Sequence, residues 1–453
     1  MDSAYSGQRV LVVGMARSGL AAGKLLLALG ARVILCDARA DVAGVDELAA
    51  LGAAAQMGQD GADLVPDCDL LVVSPGVPLD APVIQKAQAL GVPVLSELAL
   101  AAGQLSGETI AVTGTNGKTT TVTLIGEMLK NAGKPTRIAG NIGLALSAVA
   151  LDTKPEDYTV IEVSSFQMEN PGEFHPHIAV MLNLTPDHLN RHGTLEAYGA
   201  LKARMGQRQG KRDVFVYNAD DAFCRAEASK TKARTVPFSR TRRLKKGAWA
   251  DAGQIWLPGR ALCHVEELLL PGPHNLENAL AAAAVAGELG IPPAVIRHTL
   301  RSFRGVEHRM ETVRVLDGVT WINDSKGTNP DASIRAVQGM QVPTVLIAGG
   351  YDKETPFGAL AEAVAANHAL RDVVLIGKTA GQIRAALEQA GFTAIQDAGD
   401  DFAKALDMAR ALAEPGGAVL LSPACASFDM FKDYEERGRE FKALVQQMEA
   451  KQP

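Results

Sequence analysis

The sequence predicts an α/β protein built from three domains in series. The chain has 453 residues, and a globular domain averages roughly 150 residues. Short runs of β-branched and aliphatic residues alternate with Ala- and Leu-rich stretches of helical length. Continuous apolar strands separated by helices are typical of parallel sheets covered on both faces. We therefore expect three units of this alternating architecture.

The composition favours a globular protein and argues against two kinds of partner. Hydrophobic residues make up 47% and charged residues 21% of the chain, which is enough for several buried cores. The net charge of −6 offers no general attraction to nucleic acid or to an anionic membrane. The sequence has no signal-peptide pattern or membrane-spanning apolar run, and its five cysteines form no C-x-x-C pair. We expect a cytoplasmic monomer with reduced thiols.

Residues 1–104 are predicted to form a Rossmann-like domain, with strands at 10–13, 33–35, 70–73 and 92–95. The segment Gly14-Met15-Ala16-Arg17-Ser18-Gly19 follows the first strand, and Asp37 ends the second, which is similar to a dinucleotide-binding fingerprint. Ala16 stands where that fingerprint has its middle glycine, and its methyl group hinders a close approach of the backbone to pyrophosphate. The domain is therefore expected to bind another anionic or uridine-bearing group. Ser74-Pro75-Gly76 is either a second binding loop at the same edge of the sheet or a plain structural turn.

Residues 105–305 are predicted to form a central domain of the P-loop ATPase type, with strands at 109–112, 159–161, 178–182 and 214–217. Its strongest motif is Gly114-Thr115-Asn116-Gly117-Lys118-Thr119-Thr120, between a strand and a helix. Glycines let backbone N–H groups face phosphate, the lysine offsets phosphate charge, and Thr119 can bind Mg²⁺. The loop is a shorter variant, because Val112 stands where the usual spacing has glycine. The Lys- and Arg-rich segment 230–246 is predicted to be a solvated loop.

Glu162 and His188 are candidate functional residues of the same domain. Each follows a predicted strand, and ligands of open α/β sheets bind at the carboxyl ends of the strands. Spacing alone leaves Glu162 as either a metal ligand or a helix cap. His188 lies in the turn Thr185-Pro186-Asp187-His188, which favours a functional role over that of a core histidine.

Residues 306–453 are predicted to form a third, Rossmann-like domain with strands at 319–322, 344–347, 373–376 and 418–421. Polar loops follow two of these strands, at 323–329 and 422–427. Lys326, Lys353 and Ser427 would suit a small substrate that carries carboxylates, because ammonium and hydroxyl donors complement that charge.

Seven motifs in order give the chain a resemblance to the Mur ligases of peptidoglycan synthesis over essentially its whole length. They are residues 113–120, Glu162-Val163-Ser164-Ser165-Phe166-Gln167, Asp187-His188, His274-Asn275 with Asn278, His308-Arg309, residues 321–326 and residues 421–427. The resemblance is strongest to the members that add D-glutamate to UDP-N-acetylmuramoyl-L-alanine. It implies ATP-driven amide formation through an acyl phosphate, with two Mg²⁺ ions.

The resemblance also implies roles for individual residues. The catalytic residues would be Lys118, His188 and Lys202. ATP would contact Gly114, Thr115, Asn116, Gly117, Lys118, Thr119, Thr120, Asn275, Asn278, Arg309 and Asp324. The magnesium site would comprise Thr119, Glu162, His188 and Lys202, the last as a carbamylated lysine. The UDP substrate would contact Met15, Ala16, Asp37, Arg39, Ser74, Gly76 and Asn141. D-Glutamate would contact Lys326, Thr328, Lys353, Ser427, Phe428 and Tyr434.

Three alternatives stay open from the sequence. Another Mur-type amino-acid ligase shares most of these motifs, although the Asp-Asn-Pro-Arg motif of the diaminopimelate-adding enzyme is absent from the sequence. An NAD-dependent oxidoreductase would use residues 14–37 and leave Lys118, Glu162 and His188 without a role. A nucleotide switch would use the phosphate loop alone.

Overall fold

The chain divides into two compact units in a computed structural model that describes residues 4–270, 272–351 and 356–450. Unit 1 is Met1–Phe303 and unit 2 is Arg304–Pro453. Lys353, predicted to bind D-glutamate, lies outside the described residues. The domain boundaries at 104/105 and 305/306 stay predictions. Within the described ranges, every helix is too short or too polar to cross a membrane.

Unit 1 begins with a five-stranded parallel sheet of order β3-β2-β1-β4-β5. Its elements are β1 (Arg9–Val13), α1 (Arg17–Ala28), β2 (Arg32–Asp37), α2 (Val45–Ala50), β3 (Ala54–Met57), β4 (Leu70–Val73), α3 (Pro82–Leu90), β5 (Val94–Ser96) and α4 (Glu97–Ala102). A Cβ on Gly19 would lie 2.0 Å from the Gly14 carbonyl oxygen, so the glycine lets α1 approach the loop after β1.

The second sheet of unit 1 has nine strands in the order β14-β13-β12-β11-β10-β9-β6-β8-β7. Its first elements are β6 (Glu108–Thr113), α5 (Lys118–Asn131), β7 (Thr136–Gly140), β8 (Tyr158–Glu162), β9 (Ile178–Met181), α6 (Leu189–His192), α7 (Leu195–Gln207) and β10 (Val214–Asn218). The remainder are α8 (Ala222–Ala228), β11 (Arg234–Ser239), β12 (Ala248–Asp251), β13 (Gln254–Leu257), β14 (Arg260–His264), α9 (Pro273–Glu288) and α10 (Pro293–Ser302). Neighbouring strands among β6 to β12 pair in parallel, while β13 and β14 add an antiparallel edge.

Unit 2 contains a six-stranded sheet of order β15-β16-β20-β17-β18-β19. Its elements are β15 (Glu311–Leu316), β16 (Val319–Asn323), α11 (Pro330–Gly339), β17 (Thr344–Gly349), α12 (Gly358–Ala366), β18 (Leu370–Ile376), α13 (Ala380–Gln389), β19 (Ile395–Asp397), α14 (Phe402–Leu412), β20 (Ala418–Leu421) and α15 (Tyr434–Gln447). Only β15 of these strands runs antiparallel to its neighbour, within the residues that the structure describes.

The predicted fold class is confirmed, with corrections to individual elements. The strand predicted at 92–95 lies at Val94–Ser96. The predicted loop 230–246 contains β11, because Val236 and Phe238 are buried against the second sheet's core despite the flanking basic residues. The mostly short strands β3, β7, β13, β14 and β19 carry too few consecutive β-branched residues to stand out in the sequence.

Candidate active site

The Gly114–Thr120 loop joins the end of β6 to the start of α5. The first N–H groups of a helix lack intrahelical acceptors and favour phosphate there. Gly117 precedes the helix with a φ of +84°, a left-handed conformation that suits glycine. A Cβ at Gly117 would lie 2.1 Å from Asn278 Oδ1, so a side chain there would also collide with α9. The loop therefore has the backbone conformation and neighbours that a phosphate-binding turn requires.

Asn183, which follows β9, supports this loop. Its side-chain oxygen accepts hydrogen bonds from the backbone N–H groups of Thr115 at 3.1 Å and Asn116 at 2.9 Å. Thr115 Oγ1 in turn donates to the Thr185 carbonyl oxygen at 3.1 Å. Asn183 was not among the residues predicted from the sequence, although its place after a strand matches that of Glu162 and could have identified it.

Two lysines donate hydrogen bonds to one backbone carbonyl in this loop. Lys118 Nζ lies 2.9 Å and Lys202 Nζ lies 2.8 Å from the Gly114 oxygen. Lys202 is 1% exposed and its ammonium lies 4.4 Å from the centre of the Tyr198 ring. Burial lowers the pKa of Lys202 well below its usual value, and the charge of Lys118 lowers it further, while Asp187 and Glu162 oppose the shift. The site thus favours a neutral amine at Lys202.

Glu162 is held between two side chains from different elements. Thr119 Oγ1 donates to Glu162 Oε2 at 2.7 Å, and Asn141 Nδ2 donates to Glu162 Oε1 at 2.8 Å. The carboxylate is buried at the end of β8. Thr119 and Asn141 therefore meet at the carboxylate of Glu162. Thr119 and Glu162 were predicted for the metal site, and Asn141 was predicted to contact the UDP substrate.

His188 lies at the start of α6 in a left-handed conformation with a φ of +52°. Its ring packs against Phe166, with ring centroids 4.9 Å apart, and lies 6.4 Å from the Tyr198 ring. Because Lys202 contacts the same tyrosine, Tyr198 connects the surroundings of His188 and Lys202. Tyr198 was not predicted as a site residue, although it shares a helix face with Lys202 at a spacing of four residues.

The hydroxyl and carboxylate groups beside the loop are suited to Mg²⁺ that also binds substrate phosphates, and less to a metal ion bound by protein side chains alone. The described residues contain no group of three or more His, Cys, Asp and Glu side chains that could hold a metal ion. Magnesium in phosphoryl-transfer sites takes one or two carboxylates, several waters and the substrate phosphates. Thr119 and Glu162, beside the loop, supply a hydroxyl and a carboxylate of that kind.

Asn278 places α9 beside the same loop. Thr121 Oγ1 donates to Asn278 Oδ1 at 3.3 Å, and Asn278 Nδ2 lies 3.5 Å from Asn275 Oδ1. The structure therefore brings both asparagines predicted to contact ATP to the Gly117 side of the loop.

The predicted UDP-binding residues of unit 1 gather after β1, β2 and β4. Asp37 accepts hydrogen bonds from the Met15 N–H at 2.7 Å and from Arg39 Nη2 at 2.8 Å. The hydrogen bonds from Arg39 lower the pKa of Asp37 to about 2. Ser74 Oγ donates to the Gly14 carbonyl oxygen at 2.5 Å, which joins the loops after β1 and β4. Ala16 directly precedes α1, and Gly76 lies in the loop after β4.

Arg17, which was not among the predicted site residues, links this region to the second sheet. Its guanidinium donates to the carbonyl oxygens of Gly143 at 2.6 Å and Asn141 at 3.2 Å. Asn141 also binds Glu162. A ligand bound along these loops would thus extend from the first sheet towards the carboxylate beside the phosphate loop.

Asp324 and Arg309, the other predicted ATP contacts, lie in unit 2. Asp324 Oδ2 accepts a hydrogen bond from Ser422 Oγ at 2.7 Å, and Oδ1 accepts one from the Met310 N–H at 3.2 Å. Burial raises the pKa of Asp324 to about 6, against the opposing effect of these hydrogen bonds and of the Arg309 charge.

The predicted D-glutamate residues that the structure describes follow β16 and β20 or begin α15. Lys326 Nζ lies 6.0 Å from the centre of the Tyr434 ring, and the Thr328 N–H donates to the Lys326 carbonyl at 2.9 Å. Ser427 Oγ is buried with no hydrogen-bond partner in the described part of the chain. Phe428 is 62% exposed. A buried hydroxyl without a partner is costly, so Ser427 is suited to a polar ligand.

Three family profiles match consecutive parts of the chain. The MurD-like N-terminal domain matches residues 8–96, the Mur ligase middle domain matches 112–286, and the Mur ligase glutamate ligase domain matches 308–425.

Curated relatives align with nearly the whole chain. A UDP-N-acetylmuramoylalanine--D-glutamate ligase of Pelotomaculum thermopropionicum is 46% identical over 448 residues, which cover 97% of this chain and 98% of the relative. The ligase of the same name from Caldanaerobacter subterraneus is 43% identical over 442 residues, with 97% and 98% covered. The chain belongs to the Mur ligase family, whose members are ATP- and magnesium-dependent ligases.

Solved structures share the fold at lower identity. UDP-N-acetylmuramate-alanine ligase from Thermotoga maritima superposes with a TM-score of 0.56 at 21% identity, covering 97% of this chain and 99% of that one. A structure of MurF from Acinetobacter baumannii gives a TM-score of 0.57 at 19% identity, with 96% and 93% covered. The predicted roles of the individual site residues stay predictions.

We expect Asn183→Ala to weaken ATP binding about tenfold, because the Asn116 N–H would lose its acceptor and the Thr115 N–H would keep only the Asn183 backbone carbonyl. Isothermal titration calorimetry would measure the Kd for ATP. Asn131→Ala is the matched control, because Asn131 donates to Thr299 Oγ1 at 3.0 Å from the last residue of α5, away from the loop. An equal ATP affinity in Asn183→Ala and the wild type would contradict this role.

Proposed function

We propose that this chain is an ATP-dependent ligase that joins D-glutamate to UDP-N-acetylmuramoyl-L-alanine, in cytoplasmic peptidoglycan precursor synthesis. The relatives named for this activity support the substrates. The observation that carries the chemistry is the meeting of Lys118, Lys202 and the Thr119–Glu162 pair around the phosphate loop.

The first step is transfer of the γ-phosphoryl group from ATP to the carboxylate of the UDP substrate. A carboxylate oxygen forms the new P–O bond, the bond to the bridging oxygen breaks, and ADP leaves. Both reactants are anions, so positive charge has to offset their repulsion before in-line transfer. Lys118 supplies one such charge beside the loop. Rotation of its ammonium from the Gly114 carbonyl to the phosphates would bring that charge to the reacting group.

The second step forms the amide bond. The amine of D-glutamate attacks the acyl carbon, loses a proton, and displaces inorganic phosphate. D-Glutamate would contact Lys326, Thr328, Lys353, Ser427, Phe428 and Tyr434, and the ammonium and hydroxyl groups among them would receive its carboxylates. Water would hydrolyse the acyl phosphate, so the site has to exclude solvent while this amine arrives.

Two magnesium ions would be held by Thr119, Glu162, His188 and Lys202 together with the phosphates. Bound magnesium would neutralise charge on the transferred phosphoryl group. The Thr119–Glu162 hydrogen bond keeps a hydroxyl and a carboxylate together at the end of α5 nearest the loop.

Carbamylation of Lys202 would remove the electrostatic repulsion between a protonated Lys202 and Lys118. A neutral lysine amine adds to carbon dioxide and releases a proton, which leaves a carbamate with one negative charge. The lowered pKa of Lys202 favours the neutral amine that this addition requires. A carbamate at this position would convert a second cation beside the Gly114 carbonyl into an oxygen ligand for a metal.

The remaining alternatives lack support from the site. Ala16 stands before α1 where an NAD-binding fingerprint has its middle glycine, and its methyl group hinders the approach of pyrophosphate to the backbone; an NAD enzyme would also give the Thr119–Glu162 pair no role. A simple nucleotide switch would leave Asn141, Glu162 and Lys202 without a common role.

Product analysis tests the proposal directly. With ATP, Mg²⁺, UDP-N-acetylmuramoyl-L-alanine and D-glutamate, mass spectrometry should detect the UDP substrate extended by one glutamyl residue, together with ADP. ADP formation without the extended product would contradict ligase activity.

Lys118→Ala should reduce kcat by about 10²- to 10³-fold, because it removes a cation aimed at charge that develops during phosphoryl transfer. Lys130→Ala is the matched control on the same helix, since Lys130 is exposed and pairs with Glu127. The measurement is steady-state phosphate release. Near-normal turnover in Lys118→Ala would refute the assignment of the loop.

Lys202→Ala should be severely impaired and partly restored by formate or acetate, whose carboxylates would replace the carbamate oxygens. The wild type grown with ¹³C-bicarbonate should also show a carbamate carbon signal that Lys202→Ala lacks. Lys118→Ala serves as the control for rescue, because a carboxylate cannot replace a lost cation. Absence of both the rescue and the carbon signal would exclude carbamylation.

A further inference from the structure

The buried guanidinium of Arg437, in the first turn of α15, contacts the loops that follow two neighbouring strands of unit 2, β16 and β20. Its Nε donates to Ser325 Oγ at 3.0 Å, and its Nη2 donates to the carbonyl oxygens of Ser325 at 2.9 Å and Cys425 at 3.1 Å. Its Nη1 donates to the Ala426 carbonyl oxygen at 3.3 Å. A Cβ placed on Gly350 would lie 3.4 Å from the same Nη1.

These loops contain or border the residues assigned to D-glutamate in the proposed function. Ser325 precedes Lys326, and Ala426 precedes Ser427. Gly350 follows β17, which pairs with β20, and β20 pairs with β16. One side chain therefore fixes the backbone at the carboxyl ends of two adjacent strands, β16 and β20.

Arg437 itself is 0% exposed, so it lies behind the loops rather than on their surface. The four acceptors named above are one hydroxyl and three carbonyl oxygens from two separate loops. Only the planar guanidinium, with five N–H donors in a rigid fork, can serve acceptors in such different directions. A lysine keeps the positive charge but has a single nitrogen.

We propose that Arg437 is a positioning residue that sets the D-glutamate subsite by fixing the loops after β16 and β20. The inference rests on the proposed function. It assigns to Arg437 no contact with substrate, and its effect passes through the backbone next to Lys326 and Ser427.

Arg437→Lys should raise the KM for D-glutamate about tenfold, because displacements of about 1 Å in a site have effects of that order or more. The kcat should change less than about threefold, because the groups around the phosphate loop are unaltered. The KM values for ATP and the UDP substrate should also stay within about threefold, since Asp324 keeps its own bonds to Ser422 and Met310. Steady-state phosphate release with each substrate varied in turn measures all four constants.

Arg314→Lys is the matched control. Arg314 Nη1 also donates to three backbone carbonyls, those of Val445, Gln446 and Met448, at 3.0, 2.9 and 3.3 Å. These bonds join β15 to the C-terminal end of α15, far along the helix from Arg437. Arg314→Lys should lower the melting temperature without changing the KM for D-glutamate.

Ser325→Ala tests the positioning role of Arg437 if Arg437→Lys fails to fold. It removes the hydroxyl that accepts from Arg437 Nε and donates to the Tyr434 carbonyl oxygen at 2.7 Å, and it leaves the guanidinium in place. We expect the same selective rise in the KM for D-glutamate, of about threefold or more, because one hydrogen bond from the charged guanidinium and one to the Tyr434 carbonyl oxygen are lost.

An unchanged KM for D-glutamate in a folded Arg437→Lys, or in Ser325→Ala if the first variant does not fold, would overturn the inference. So would equal changes in all three KM values, which would indicate a general structural role. Failure of the wild type to release phosphate in response to D-glutamate would instead refute the proposed function, so the two failures are distinguishable.

Discussion

The carbonyl oxygen of Gly114 accepts hydrogen bonds from the side-chain nitrogens of two lysines, and the rest of the candidate site in unit 1 is arranged around this contact. Lys118 and Lys202 approach it from different helices, at 2.9 and 2.8 Å. Burial disfavours a charge on Lys202, and repulsion from the Lys118 cation adds to that penalty. The lowered pKa of Lys202 is the consequence. An anionic triphosphate beside Lys118, and a carbamate at Lys202, would each remove the source of the repulsion.

The surrounding structure holds this charge arrangement in place. Asn183 fixes two N–H groups of the phosphate loop, and Glu162 is fixed by Thr119 and Asn141. These four residues lie at or after the carboxyl ends of strands, or at the start of the helix that follows one. The parallel sheet therefore supplies the common edge, and hydrogen bonds between neighbouring loops supply the precision that phosphoryl transfer needs.

The sequence predicted the architecture and the phosphate loop, because both depend on local patterns. Alternating apolar strands and helices indicate parallel sheets, and the order strand, glycine loop, Lys118, helix is typical of phosphate-binding loops. Residues whose role depends on tertiary contacts were harder to identify. Lys202 alone would pass for a surface lysine, since its burial beside Tyr198 comes from the folding of α7 onto the loop. Arg437 was missed for the same reason, because its partner Ser325 is distant in sequence.

Phosphate release from ATP in the presence of UDP-N-acetylmuramoyl-L-alanine is the measurement that distinguishes the proposed ligase reaction and its amino-acid acceptor from the alternatives. The rates with D-glutamate, L-glutamate, L-alanine, L-lysine and diaminopimelate as acceptors would be compared. We expect phosphate release that depends on D-glutamate alone. Release driven by another amino acid would contradict the assigned acceptor, and release indifferent to every amino acid would contradict the ligase reaction itself.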